Sequence, residues 1–274
     1  MPEGPEVRRE ADLIESVLSD VEVTETFIKF EHLKELAPLF NGSELLFIQT
    51  IGKGMVLHFN QGFSVYTHHQ LYGRWVVSKQ DPELTRDLRL RFVTSKGMAS
   101  LYSSSEVDIF PTEETYQVPF IQKNNGLDIL NFNPSQSEIL SYIENFPGKN
   151  KALSALLLDQ KFILGMGNYL RSEVLFESRI NPFLKLSELQ PEGLHRLGRA
   201  INKIMSQSYH ESGVTNSLEL ARKLKKKGYF FEDYRFQVFN REDLPCYVCK
   251  TKIKRTELNN RRLYYCPVCQ EVRP

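Results

Sequence analysis

No apolar run in this chain of 274 residues is long enough to cross a bilayer. The most apolar stretch, 152–166, is interrupted by Asp159, Gln160 and Lys161 and falls short of the roughly 20 residues that a spanning helix needs. Nor does the start read as a signal peptide, because Glu3, Glu6, Arg8, Arg9, Glu10 and Asp12 stand where such a segment would be apolar. Together these features predict an intracellular protein, cytoplasmic and without a membrane partner. Cysteine is scarce, four residues in all and none before 246, which excludes a disulfide-dense scaffold. Internal repeats are missing, and the only low-complexity tract is the lysine run 225–227. With 41% hydrophobic and 25% charged residues, disorder and collagen-like structure are excluded, and the length suits one large core or two smaller ones.

The net charge of +1 conceals an asymmetry. Between 222 and 262 the chain carries 13 Lys and Arg against 5 Asp and Glu, so the remainder is acidic. Such a block is either a solvated helix face or a polyanion-binding surface. The four cysteines fall inside the last 29 residues as Cys246 and Cys249, then sixteen residues, then Cys266 and Cys269. Two knuckles of this spacing present two thiolates each to one tetrahedral Zn²⁺, and the interval suits a β-hairpin. The alternative, two disulfides, does not suit a reducing compartment. With no open ligand position, the metal is expected to be structural, folding a segment, 236–270, too small to hold itself together by burial.

Upstream, β-rich runs over 21–30, 55–60, 63–68, 72–79, 88–94 and 98–103, with turns at Gln61-Gly62 and Lys96-Gly97, predict an antiparallel sandwich or barrel. Val7, Ala11, Ile14 and Leu18 repeat at helical spacing before them, and Pro5 suits a first helical turn. From about 135 the pattern turns helical, over 135–144, 151–160, 168–176, 186–208 and 217–227. Breaks at Asn133-Pro134 and Pro147-Gly148 place a domain boundary near Asn131. The expected organisation is α+β and multidomain: a β-sandwich with a leading helix over 1–130, a helical domain over 131–235 and a finger over 236–274.

Three segments then converge. The opening Met-Pro-Glu-Gly-Pro-Glu-Val-Arg-Arg (1–9), the run Leu-Leu-Leu-Asp-Gln-Lys-Phe-Ile-Leu-Gly-Met-Gly-Asn-Tyr-Leu-Arg-Ser-Glu (156–173) and the four-cysteine finger resemble the formamidopyrimidine-DNA glycosylase/endonuclease VIII family across nearly the whole chain. Gln-Leu-Tyr-Gly (70–73) is similar to the endonuclease VIII branch, which implies oxidised pyrimidines as preferred lesions, excised from damaged double-stranded DNA by a monomer. The resemblance implies removal of Met1 and use of the Pro2 amine as nucleophile. An α-amino group has a pKa of roughly 8, so a neutral fraction exists near pH 7, and the positive end of a helix enlarges it. A secondary amine forms a cationic iminium, an electron sink that acidifies the sugar 2′-hydrogen and opens the way to strand cleavage.

By the same resemblance Glu3 is the general acid/base, with Glu6 and Glu173 as supporting acids that read equally well as helix-start charges. Lys53, between Gly52 and Gly54, and Arg261, in the finger hairpin, match phosphate-holding cations that assist the two eliminations. Gln70, Leu71 and Tyr72 match a wedge that fills the space left by the extruded base, although Leu71 and Tyr72 also read as core residues entering a strand. Lys123 stands where this branch carries an arginine; it keeps the charge, lacks the fork, and its segment has one apparent extra residue. Asn168 opens a helix after Gly165-Met166-Gly167 and is expected to hold a backbone phosphate within a helix–two-turn–helix module. The loop at 213–216 is a candidate cover for the flipped base. Three other functions fit parts of the pattern: a purine-directed enzyme of the same family, a non-catalytic zinc-finger nucleic-acid binder, and a metal-dependent nuclease. The nuclease would lose cleavage promptly on chelation, and no acidic cluster at ligand spacing supports it.

Overall fold

The computed structural model describes residues 2–82, 84–258 and 260–270; Met1, whose removal the resemblance implies, lies outside them. The chain divides into two compact units, Met1–Asn124 and Asn125–Pro274.

The first unit opens with α1 (Gly4–Leu18). Glu3 and Glu6 form a capping box at its start, and Pro5, which has no N–H to lose, occupies the first turn. Val7, Ala11, Ile14 and Leu18 are all buried on one face, as their spacing predicts. Eight strands follow: β1 (Val23–Ile28), β2 (Leu45–Ile51), β3 (Gly54–Phe59), β4 (Phe63–His68), β5 (Arg74–Ser78), β6 (Leu88–Thr94), β7 (Gly97–Tyr102) and β8 (Glu106–Pro111). They build two antiparallel sheets, ordered β1-β6-β7-β5 and β2-β3-β4-β8. Their inner faces share one core with α1, centred on Phe40, Phe59 and Phe92, whose rings lie 5.0–5.4 Å apart. A sandwich rather than a barrel is therefore present. The outer face of the second sheet is also covered: Val56 and Tyr66 pack under Phe120 and Ile121 of α2 (Pro119–Lys123), so β3 is buried on both faces.

Two strands, β2 and β8, lie outside the expected set. In β2 a bulge between Leu45 and Phe47 breaks the alternation, and in β8 the outward Glu106 and Asp108 mask the inward Val107 and Ile109.

The second unit is helical: α3 (Ile129–Phe132), α4 (Gln136–Asn145), α5 (Leu153–Leu156), α6 (Asn168–Glu177), α7 (Pro191–His210), α8 (Leu218–Lys226) and α9 (Phe231–Tyr234), closed by the hairpin β9 (Lys254–Leu258) and β10 (Arg261–Tyr265). The helix expected over 151–160 is only the four residues of α5. Gln160 turns inward instead, its Nε2 donating to the Met166 carbonyl at 3.0 Å and its Oε1 accepting from Gly165 N–H at 2.9 Å, which folds the double turn before α6. The helix expected over 186–208 begins at Pro191, where a proline can only start a helix. Among the described residues no helix is long and apolar enough to cross a membrane.

Candidate functional site

In the first unit, Pro2 directly precedes the buried Glu3, the N-cap of α1. The Glu6 carboxylate accepts the Glu3 N–H at 3.0 Å, so the expected supporting acid acts as a clamp on the helix start. Further along, Arg8 donates to the Ile48 carbonyl at 3.0 Å while Glu15 accepts the Ile48 N–H at 2.7 Å, locking the helix to β2. The residues at its mouth thus sit on a rigid element. Lys53 lies in the tight β2–β3 turn after Gly52, whose φ of +61° favours glycine. At Gly54 a Cβ would press on Tyr66 and Phe120 at 3.0 and 3.1 Å. The Lys53 charge reaches His68, whose pKa is lowered chiefly by burial and further by His69 and Lys53, against the opposing pull of Glu106.

Gln70, Leu71 and Tyr72 form the loop between β4 and β5. Leu71 and Tyr72 are 67% and 73% exposed, so they are not strand-entry core residues, and the predicted strand at 72–79 starts only at Arg74. Large apolar side chains left in water at a loop tip are the feature that needs a partner. The Gln70 amide donates to Glu106 at 3.0 Å and accepts from Ser105, while its N–H donates to His68 Nδ1 at 3.0 Å. Lys123 is exposed at the C-terminal end of α2.

In the second unit, Asn168 is the first residue of α6, after Gly167 as N-cap, with its Oδ1 buried and without a partner among the described residues. The next residues of the same helix face inward. Arg171 is fully buried and donates to the carbonyls of Ser154 and Arg262, each at 2.8 Å; Ser172 Oγ accepts the Tyr264 N–H at 3.3 Å. Glu173 lies mid-helix, which corrects the helix-start reading. Its carboxylate accepts the N–H groups of Gln237, Val238 and Phe239 at 2.8–2.9 Å and the Thr215 hydroxyl at 2.7 Å. Burial pushes its pKa up, and those hydrogen bonds pull the other way. Three consecutive side chains of α6 thereby fasten the finger. Arg261 is exposed at the start of β10, next to the backbone that Arg171 holds.

The loop at 213–216 is tied down within its own unit. Thr215 and Asn216 are buried, the first on Glu173 and the second on the Tyr234 carbonyl at 3.0 Å. The residues that sequence reasoning passed over are His69, Glu10, Glu106 and Arg171; the pair His68-His69 ahead of Gln70 was the available signal for the first.

The four cysteines are free, with one Sγ from each within 4.8 Å of all the others. Cys246 lies 3.8 Å from Cys269 and Cys249 lies 3.3 Å from Cys266, far beyond a disulfide bond. A tetrahedral ion with bonds of about 2.3 Å separates its sulfurs by about 3.8 Å, so the cluster fits Zn²⁺. Backbone N–H groups of Val248 and Cys269 point at the Cys246 and Cys266 sulfurs at 3.4 Å.

Residues 1–105 match the formamidopyrimidine-DNA glycosylase N-terminal domain, and residues 131–219 match the formamidopyrimidine-DNA glycosylase H2TH domain. The Endonuclease 8 of Enterobacter sp. (strain 638) is 36% identical over 273 residues, covering 99% of this chain and 100% of that protein. Endonuclease 8 of Escherichia coli O17:K52:H18 (strain UMN026 / ExPEC) is 34% identical over 272 residues, covering 98% and 100%. Among solved structures, Lactococcus lactis Fpg in complex with DNA containing N7-benzyl-Fapy-dG matches with a TM-score of 0.78 at 18% identity, covering 99% of this chain and 100% of that one. A complex of the same protein with DNA containing an oxidised pyrimidine gives the same score and identity. This second likeness is one of fold.

Proposed function

The chain belongs to the formamidopyrimidine-DNA glycosylase family and is a DNA glycosylase, and from that premise we propose that it removes oxidised bases, pyrimidines before purines, and then cleaves the strand as an abasic-site lyase. Pro2, freed of Met1, attacks C1′ of the damaged nucleotide while Glu3 delivers a proton to the opening sugar; the C1′–N bond breaks and the base leaves with its electron pair. The resulting iminium draws electrons from the 2′ carbon. Loss of a 2′ proton expels the 3′ phosphate, a second elimination expels the 5′ phosphate, and water releases the sugar fragment from Pro2. Lys53 and Arg261 hold the phosphates that depart. Gln70, Leu71 and Tyr72 occupy the vacated stack, Asn168 and Lys123 grip the backbone, and one structural Zn²⁺ held by Cys246, Cys249, Cys266 and Cys269 keeps the finger folded. The working parts are 1–130, 131–235 and 236–274, acting as a monomer on damaged duplex.

The observation that supports this most is the start of α1. A buried carboxylate caps a helix pinned to the sandwich, and the residue before it carries the amine at the helix's positive end. Glu6 and Glu173 serve by holding that helix and the finger rather than by moving protons. The lesion preference is tested on duplexes carrying thymine glycol, dihydrouracil or 8-oxoguanine, each compared by single-turnover excision. Faster excision of the two pyrimidines is expected; faster excision of 8-oxoguanine would assign the chain to the purine-directed side of the family.

A further inference from the structure

Leu71 and Tyr72 stand clear of the protein, so their direction is set at the base of the loop. There His69, next to Gln70, is 2% exposed, and its Nε2 is hydrogen-bonded to the Glu10 carboxylate of α1. A carboxylate only accepts, so the ring proton sits on Nε2. Nδ1 is buried with no partner among the described residues, which leaves Glu10 as the group that orients the ring. The His69 carbonyl accepts the Gly73 N–H at 2.7 Å and closes the loop; a Cβ at Gly73 would lie 2.5 Å from that oxygen, so a side chain there would force the turn open. Gln70 sits at a φ of +52°, a conformation that persists only where its surroundings over-determine it. Glu10 follows Glu3 on the same helix by seven residues, about 10 Å along the axis. One hydrogen bond, buried on the His69 side and part-exposed at Glu10, thus joins the helix that begins at Glu3 to the loop that carries Leu71 and Tyr72.

We propose that Glu10 and His69 are a positioning pair for base extrusion, setting where Leu71 and Tyr72 enter the duplex relative to the Pro2 amine. The inference rests on the reading of 70–72 as a wedge. Neither side chain touches reacting atoms. A wedge shifted against the nucleophile leaves the damaged base stacked for longer, so the loss falls on the step that brings C1′ to Pro2. A preformed abasic site has no base to unstack and escapes it.

The test uses the full chain with His69→Ala, Glu10→Ala, the double variant, and Glu10→Gln, which keeps an acceptor oxygen for Nε2. Substrates are a dihydrouracil duplex with 2-aminopurine in the partner strand and a duplex with a preformed abasic site. Each single alanine variant is expected to excise dihydrouracil about tenfold more slowly, with the 2-aminopurine signal delayed to match. The double variant loses no more than either single one, because both remove the same bond. Glu10→Gln recovers most of the rate, and borohydride trapping at the abasic site stays close to that of the unaltered protein in all four. Unchanged excision, additive losses, or trapping that falls in parallel with excision would each overturn the proposal. An unaltered protein that neither excises dihydrouracil nor is trapped on abasic DNA would overturn the reading of 70–72, and this inference with it.

Discussion

Glu3 has two tasks, capping α1 and standing beside the amine proposed to react, and Glu3→Gln separates them. Glutamine retains an oxygen for the helix start and removes the proton that opens the sugar. General acid catalysis is worth roughly 10²–10⁴-fold, so base excision should fall by that amount. Strand cleavage at a preformed abasic site, which has no base to release and whose hemiacetal equilibrates with the open aldehyde unaided, should fall far less; equal losses on the two substrates would contradict the assignment. His68 supplies a pH dependence. Its pKa lies below the ordinary 6.5, chiefly through burial, and its Nδ1 must be bare to accept the Gln70 N–H. A histidine depressed in the folded state contributes fully above the unfolded value and loses that contribution as pH falls through the folded one. NMR titration of the His68 ring should therefore give a midpoint below 6.5, with duplex excision declining over the same range. A midpoint at or above 6.5 would show that the ring does not hold the loop.

At the scale of elements, α6 ties the second unit together. Glu173→Ala would leave three N–H groups, one buried and two part-buried, without this acceptor, and an unsatisfied buried group costs about 1–3 kcal/mol, so urea denaturation should show a loss of about 3 kcal/mol. Glu173→Gln, which keeps one acceptor oxygen, should lose less. A neutral Glu173→Ala would mean that the finger is held elsewhere. This anchoring was not legible in the sequence, because its partners lie more than 60 residues away and their backbone groups carry no residue signature. The elements themselves were legible where burial follows a simple period, as for α1 and β6. They were not where a local feature outweighed the pattern: the bulge in β2, the inward Gln160 that cuts α5 short, and Pro191 at the start of α7. Of the candidate site, the cysteine cluster could be read from its spacing, whereas the roles proposed for Pro2 and Glu3 came only from the family resemblance, because the residues alone read as an ordinary helix start. The exposure of Leu71 and Tyr72 could not, since apolar residues beside a strand give the same pattern inside a core.

For the whole molecule, the late basic block should govern how binding responds to salt. Each phosphate contact neutralised by a cation adds about 0.9 to the slope of log affinity against log salt on duplex DNA. Replacing Lys225, Lys226 and Lys227, all exposed, with alanine should lower that slope by up to about 3 on undamaged duplex; an unchanged slope would make the run a solvated face. The central claim, that catalysis runs through the amine at the start of α1, is tested most directly by borohydride reduction of the mature protein on abasic duplex, followed by peptide mass spectrometry of the adduct. The account predicts one DNA-derived mass attached to a peptide that begins at Pro2. Attachment at a lysine, or no adduct from protein verified to start at Pro2, would contradict it.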